Sequence, residues 1–104
     1  MKTLLLTGAG GSIGNYIVRS FYKKYNLICV DKNKSKLNSL KKKYKRIITY
    51  SCDLTKTNDV KKLFKKIVKK KSIDILINNA GIIYSEPFIK LGKKGFERHS
   101  YKSW

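Results

Sequence analysis

Short runs that are apolar throughout alternate along this chain with longer segments whose apolar residues recur at helical spacing. Thr3–Thr7, Leu27–Val30, Ile47–Tyr50 and Ile73–Ile77 read as strands. Between them, Ile13–Tyr25 reads as a helix with Ile13, Ile17, Val18, Phe21 and Tyr22 inward. Ser35–Tyr44 reads as a shorter helix with Leu37, Leu40 and Tyr44 inward. The pattern is cleanest over Asn58–Lys70, where Val60, Leu63, Phe64, Ile67 and Val68 share a face. Lys61, Lys62, Lys65, Lys66 and Lys69 fall opposite, as a solvated face. Strands that are apolar rather than alternating belong to parallel sheets covered on both sides, and short connections imply right-handed crossovers.

The expected object is therefore α/β, one domain over residues 1–104 with an irregular tail over 82–104. Its sheet should be parallel and doubly wound in order 3-2-1-4, the N-terminal half of a Rossmann-type fold and incomplete as such. The connection after the first strand, Gly8-Ala-Gly-Gly-Ser-Ile-Gly14, fits that fold. Gly8 lets the chain leave the strand through a tight turn. Gly10 and Gly11 remove side chains where backbone would approach a pyrophosphate, and Gly14 permits close helix–strand packing. The helix N-terminus offers free N–H groups and partial positive charge, and Ser12 adds a hydroxyl donor. The plain alternative is a purely structural strand-to-helix turn. Asp31 closes the second strand, where a carboxylate accepts hydrogen bonds from an adenosine ribose and repels a 2′-phosphate. Lys32 and Lys34 pull the other way, so the reading is NAD with NADP as the alternative. Asp31 could equally be a turn residue before Lys32-Asn33-Lys34.

Composition changes this picture little. The formal net charge is +19, from 25 basic against 6 acidic residues, which raises nucleic acid as a partner. Yet Lys dominates, Arg is confined to Arg19, Arg46 and Arg98, and the lysines are spread over every predicted helix rather than gathered in one arm. Arg is the residue that grips phosphates and base edges with two hydrogen bonds. Together with many Ile, Asn and Tyr, the mixture fits AT-rich coding. Specific nucleic-acid binding is not expected, although weak salt-sensitive adhesion to polyanions is. Cys29 and Cys52 lie in apolar runs without metal-type spacing and read as buried free thiols. No run approaches a membrane span and no signal peptide is recognisable, so the expected location is cytoplasmic.

Thr7-Gly-Ala-Gly-Gly-Ser-Ile-Gly14, Asp31, Asp53-Leu-Thr55 and Asn78-Asn-Ala-Gly81, in that order, resemble the short-chain dehydrogenases/reductases over nearly the whole chain. The resemblance implies a nicotinamide cofactor. Thr7, Gly8, Gly10, Gly11, Ser12, Ile13 and Gly14 would form the pyrophosphate turn, and Asp31 would bind the ribose. Asp53 and Leu54 would lie against the adenine, and Asn79, Ala80 and Gly81 would close over the adenosine side and brace the sheet. Asp53 could otherwise serve as a turn or capping acid, and the asparagines could satisfy local backbone. Ser12 departs from the ordinary members, which tend to have Gly there, and brings the turn nearer the extended, sugar-nucleotide-modifying branch. Asn78–Gly81 belongs to the ordinary branch, so the substrate class stays open.

The family's chemistry needs a Tyr-x-x-x-Lys pair on a helix and a Ser from a preceding strand. That spacing sets an ammonium beside the phenol and lowers its pKa. No Tyr in this sequence has Lys at that distance: Tyr16, Tyr22, Tyr25, Tyr44, Tyr50 and Tyr84 are followed there by Ser20, Asn26, Cys29, Ile48, Leu54 and Phe88. Tyr101 and Lys102 are adjacent and would point apart on a helix. No catalytic or metal-ligating residues are therefore assigned. The segment after Phe96 lacks the family's apolar pattern, and the lone His99 is read as a surface residue. The expectation is the first part of a longer dehydrogenase, ended by a frameshift or premature stop near His99, inactive alone and self-associating through an exposed fourth strand. A standalone nucleotide-binding regulatory module and a Lys-rich nucleic-acid-binding protein are the alternatives.

Overall fold

The computed structural model describes residues 1–69 and 72–80. The expected tail over 82–104, and Gly81 with it, lies outside the described residues. Strands β1 (Thr3–Thr7), β2 (Asn26–Asp31), β3 (Ile48–Ser51) and β4 (Ile75–Asn78) alternate with helices α1 (Ser12–Phe21), α2 (Lys34–Lys43) and α3 (Thr57–Val68). All strand pairs are parallel, in the expected order β3-β2-β1-β4. Among the described residues, β4 is an edge strand.

Successive residues of a strand point to opposite faces, and the core divides accordingly. Leu4 and Leu6 of β1 pack with Val18 of α1 and with Leu37 and Leu40 of α2 on one side. Leu5, with Ile28, Val30 and Leu76, meets Val60, Leu63, Phe64 and Ile67 of α3 on the other. Cys29 and Cys52 are buried and free, one in each layer.

Polar contacts fix the register at both ends of the central pair. At its start the Thr3 N–H donates to Asp74 Oδ2 at 2.8 Å, while the Asp74 N–H donates to the Thr3 carbonyl at 2.9 Å. At its end Thr7 stands opposite Asn78. Arg46 donates to the Tyr22 carbonyl at 2.6 Å, where a cation suits the negative end of α1. Lys41 donates to the carbonyls of Lys45 and Ile47 and closes the turn between α2 and β3.

Three expectations are corrected. The first helix ends at Phe21 rather than Tyr25. The Tyr22 N–H still bonds to the Val18 carbonyl, but Lys24 and Tyr25 both bond back to the Phe21 carbonyl, forming a turn that delivers Asn26 to the sheet. Ile13, expected inward, is 65% exposed and borders the cleft beside the glycine turn. Val68, at the other end of α3, is exposed as well. The lysines 61, 62, 65, 66 and 69 form the solvated face that the pattern implies. No helix among the described residues is long and apolar enough to cross a membrane.

Candidate functional site

The C-terminal ends of β1, β2 and β4 open onto two adjoining clefts. One, of about 330 Å³, is lined by Val30, Asp31, Lys32, Cys52, Asp53, Leu54 and Thr55. The other is lined by Gly11, Ser12, Ile13, Lys36 and Asn79. Gly8, Asp31 and Ala80 line both, so the two form one path across the crest of the sheet. It runs beside the switch in strand order between β1 and β4, where open α/β sheets bind ligands.

The turn from β1 into α1 is sterically fixed. Gly8 has φ +66°, and a Cβ there would lie 2.9 Å from the Asn79 carbonyl oxygen. At Gly14 a Cβ would meet the Gly8 oxygen at 2.4 Å and the Ala9 Cα at 2.7 Å, so α1 rests directly on the turn. Gly10 is needed for an internal reason: a Cβ would strike Lys36 Cβ at 2.8 Å and Asp31 Oδ2 at 2.9 Å. Only Gly11 is open, its nearest neighbour being the Gly8 oxygen at 3.6 Å.

Hydrogen bonding separates occupied donors from free ones. The Gly10 N–H donates to Asp31 Oδ2 at 2.8 Å and the Gly11 N–H to the Gly8 carbonyl at 3.2 Å. The first helix-type bond after the turn is Asn15 N–H to the Gly11 carbonyl at 2.9 Å. The N–H groups of Ser12, Ile13 and Gly14 therefore have no partner among the described residues. Gly11, the N-cap of α1, gives no side-chain cap, and the first turn holds no acid. Free donors and an uncompensated helix dipole together suit an anion.

Asp31 has the turn role raised for it and a second backbone partner besides. Its Oδ1 accepts from the Asn33 N–H at 2.8 Å, a local turn bond, while Oδ2 reaches back to the glycine turn. The carboxylate is only partly buried and borders both clefts. Asp53 is likewise a turn residue, with Oδ1 accepting from the Thr55 hydroxyl at 2.6 Å and the Thr55 N–H at 3.0 Å. Those two bonds hold its carboxyl below the usual range against the opposing effect of burial, with smaller help from the charges of Lys32 and Lys56. Lys32 Nζ stands 3.7 Å from Asp53 Oδ2, largely in solvent, so the pair spans the cleft mouth with little energy of its own. The floor is apolar, from Val30, Leu54 and Cys52. Burial, reinforced by Asp59 and Asp53, pushes the Cys52 thiol up to about 11, which keeps it protonated at neutral pH.

Thr7 ties the far wall to the turn. Its hydroxyl donates to Asn78 Oδ1 at 2.9 Å and accepts from the N–H groups of Asn79 and Ala80 at 3.0 and 3.2 Å. Asn79 Nδ2 donates to the Gly8 carbonyl at 3.2 Å. These bonds join the end of β1 and the glycine turn to the end of β4 and the residues after it. One contributor was missed in the sequence: Asn15 on α1, whose side-chain amide faces the carbonyls of the glycine turn. Its only sequence signal is an amide side chain directly after Gly14.

An open parallel α/β sheet with a glycine turn, a carboxylate at the end of β2 and a cleft over its crest has the architecture of a dinucleotide-binding fold. Comparison with known proteins narrows the class. The sequence matches the short chain dehydrogenase family over residues 2–100, and the chain belongs to that family. The 3-oxoacyl-(acyl-carrier-protein) reductase FabG of Rickettsia bellii is 33% identical over 99 residues, covering 93% of this chain and 40% of the relative. A 4-hydroxyisoleucine dehydrogenase complexed with NADH superposes with TM-score 0.70 at 31% identity, over 79% of this chain and 35% of that one. NAD+-bound xylitol dehydrogenase gives 0.69 and 30%, over 78% and 34%. The chain thus spans less than half the length of the proteins it matches.

Proposed function

We propose that this chain is the cofactor-binding portion of a short-chain dehydrogenase/reductase and that it binds NAD(H) in the cleft over β1, β2 and β4. The observation that carries the reading is the set of free N–H groups on Ser12, Ile13 and Gly14 beside a carboxylate at the end of β2. Together they match a pyrophosphate and a ribose diol. Thr7, Gly8, Gly10, Gly11, Ser12, Ile13 and Gly14 shape or line the pyrophosphate turn. Asp31 takes the adenosine ribose through lone pairs left beside its two backbone bonds. Asp53 and Leu54 flank the adenine, and Asn79 and Ala80 close the adenosine side, the part expected of Gly81 lying outside the described residues. The Asp31 charge favours NAD over NADP, while Lys32 and Lys36 at the cleft leave NADP as a weaker ligand.

The bound nicotinamide would supply hydride exchange with an alcohol or carbonyl in the full-length family. This sequence contributes no Tyr-x-x-x-Lys pair to that step, so the 104 residues bind without turnover. The proposal includes a cytoplasmic location and self-association through the outer edge of β4, since an apolar edge strand pairs readily. Binding is tested by titrating NADH fluorescence at high salt, which suppresses adhesion driven by the +19 charge. Saturable binding displaced by ADP-ribose supports the reading. Salt-dependent DNA retention without an NADH response would replace it with the polyanion-binding alternative. Size-exclusion chromatography reads the association, and a monomer at all concentrations refutes that part.

A further inference from the structure

The amide of Asn15 does more than fill space at the start of α1. Its Nδ2 lies 2.7 Å from the Gly11 carbonyl oxygen, 3.2 Å from that of Gly10 and 3.4 Å from that of Ala9. Three converging acceptors require the nitrogen, not the oxygen, of the amide to face them, which fixes its orientation. Peptide planarity then has a consequence on the other side of the turn. In a trans peptide the C=O of one residue and the N–H of the next point in opposite directions. The Gly11 carbonyl is held against Asn15 by the backbone N–H at 2.9 Å and by the side-chain amide at 2.7 Å, and the two bonds together turn the Ser12 N–H away from Asn15. That N–H has no partner among the described residues, and Ser12 lines the cleft. The same clamp gathers the negative ends of three peptide dipoles behind the turn, away from an incoming anion.

We infer that Asn15 is a positioning residue for the diphosphate subsite: it aims the Ser12 N–H and draws the turn's carbonyls out of the anion's path without touching the ligand. The inference rests on the dinucleotide reading above and assigns a role that the fold itself does not demand. α1 is already packed through Gly14 and Val18, both buried. The clamp bonds lie within one turn rather than between layers, so its loss should act on the turn's orientation more than on the core.

The test compares a ligand with a diphosphate and one without. ADP-ribose and adenosine are titrated against the full chain and its variants at high salt. Asn15→Leu should weaken ADP-ribose about tenfold, the effect of losing one well-made polar interaction, and change adenosine less than about twofold. Asn15→Ser should keep most of the ADP-ribose affinity, because a helical Ser hydroxyl reaches the carbonyl four residues back, here Gly11. Equal loss for both ligands, unchanged ADP-ribose binding in Asn15→Leu, or an Asn15→Ser loss as large as that of Asn15→Leu would overturn the inference. Should Asn15→Leu not fold, Asn15→Ala takes its place: a selective loss of ADP-ribose affinity supports the role and unchanged binding refutes it. Failure of the unaltered chain to bind ADP-ribose would instead overturn the dinucleotide reading and this inference with it.

Discussion

Replacing Gly14 by Ala sets two opposing effects against each other. Gly14 lies in the first turn of α1, where Ala is favoured over Gly by about 1 kcal/mol in helix propensity. The added Cβ, however, would stand 2.4 Å from the Gly8 oxygen and 2.7 Å from both the Cα and the oxygen of Ala9. Ordinary carbon–oxygen contacts close to about 3.3 Å, so the helix must retreat by roughly 1 Å. All three obstructing atoms are backbone, and the Gly8–Ala9 segment is tied to Asn79 and to β2, where the Ala9 N–H bonds to the Val30 carbonyl at 3.2 Å. No rotamer change relieves the clash, which places the penalty near or above the upper end of the usual overpacking range, about 3 kcal/mol. The clash wins, with a net destabilisation of about 2 kcal/mol. For a domain of this size that lowers Tm by roughly 8–16 °C. Thermal melting followed by circular dichroism measures it, and NADH titration of the folded variant should show weakened binding because the displaced helix carries the free N–H groups. A variant as stable as the unaltered chain, or more stable, would refute the close seating of α1 on the turn.

The neighbouring glycine should behave oppositely. Gly11 has ordinary extended backbone, with φ −79° and ψ 177°, and an open position, so Gly11→Asp supplies the missing N-cap and raises stability by a few tenths of a kcal/mol. The new carboxylate takes the same N–H groups as a phosphate and should reduce NADH affinity at least tenfold; melting and titration read the two effects separately. Asp31→Ser should move the ratio of NADPH to NADH affinity about tenfold towards NADPH, because it removes a charge facing the 2′ position and leaves Lys32 and Lys36 in place. An unchanged ratio would place the ribose elsewhere. Burial pushes the Cys29 thiol from 9.0 up to about 12, and Cys52 up to about 11. Both groups are favoured as neutral thiols in the folded chain, so their contribution is fully present below pH 9 and lost as pH rises from there towards 12. Urea unfolding across that window should show falling stability, with a shallower slope in Cys29→Ala/Cys52→Ala.

The sheet was legible because its strands are buried on both faces, which leaves unbroken apolar runs such as Leu4-Leu5-Leu6 that periodicity finds directly. Element ends were less so. The helix pattern continues through Tyr22 and Tyr25, which stay partly buried against the core although the backbone has already turned at Phe21. Ile13 fits the apolar stripe of α1, yet it sits in the first turn, where the helix borders the cleft rather than the core. Within the site, glycine spacing announces a turn but not which constraint each glycine meets. Gly10 answers to Lys36 and Asp31, a contact set by how α2 and β2 pack beside the turn. The bond from Gly10 to Asp31 is likewise tertiary, and with the Gly11 bond to Gly8 it leaves the free donors on Ser12, Ile13 and Gly14 rather than on Gly10 and Gly11. Asn15 was silent because an Asn in a helix's first turn is ordinary; its role appears only when the three carbonyls it gathers are in place.

The central claim is that the crest of this sheet is a dinucleotide site organised by the α1 N-terminus and Asp31. Its most direct measurement is an isothermal titration of NADH into the full chain at high salt, repeated with Gly11→Asp. Binding should be saturable and one-to-one, displaced by ADP-ribose and weakened at least tenfold by Gly11→Asp, while the melting temperature of that variant holds or rises. Absence of saturable binding, or equal affinity in the folded variant, would contradict that claim.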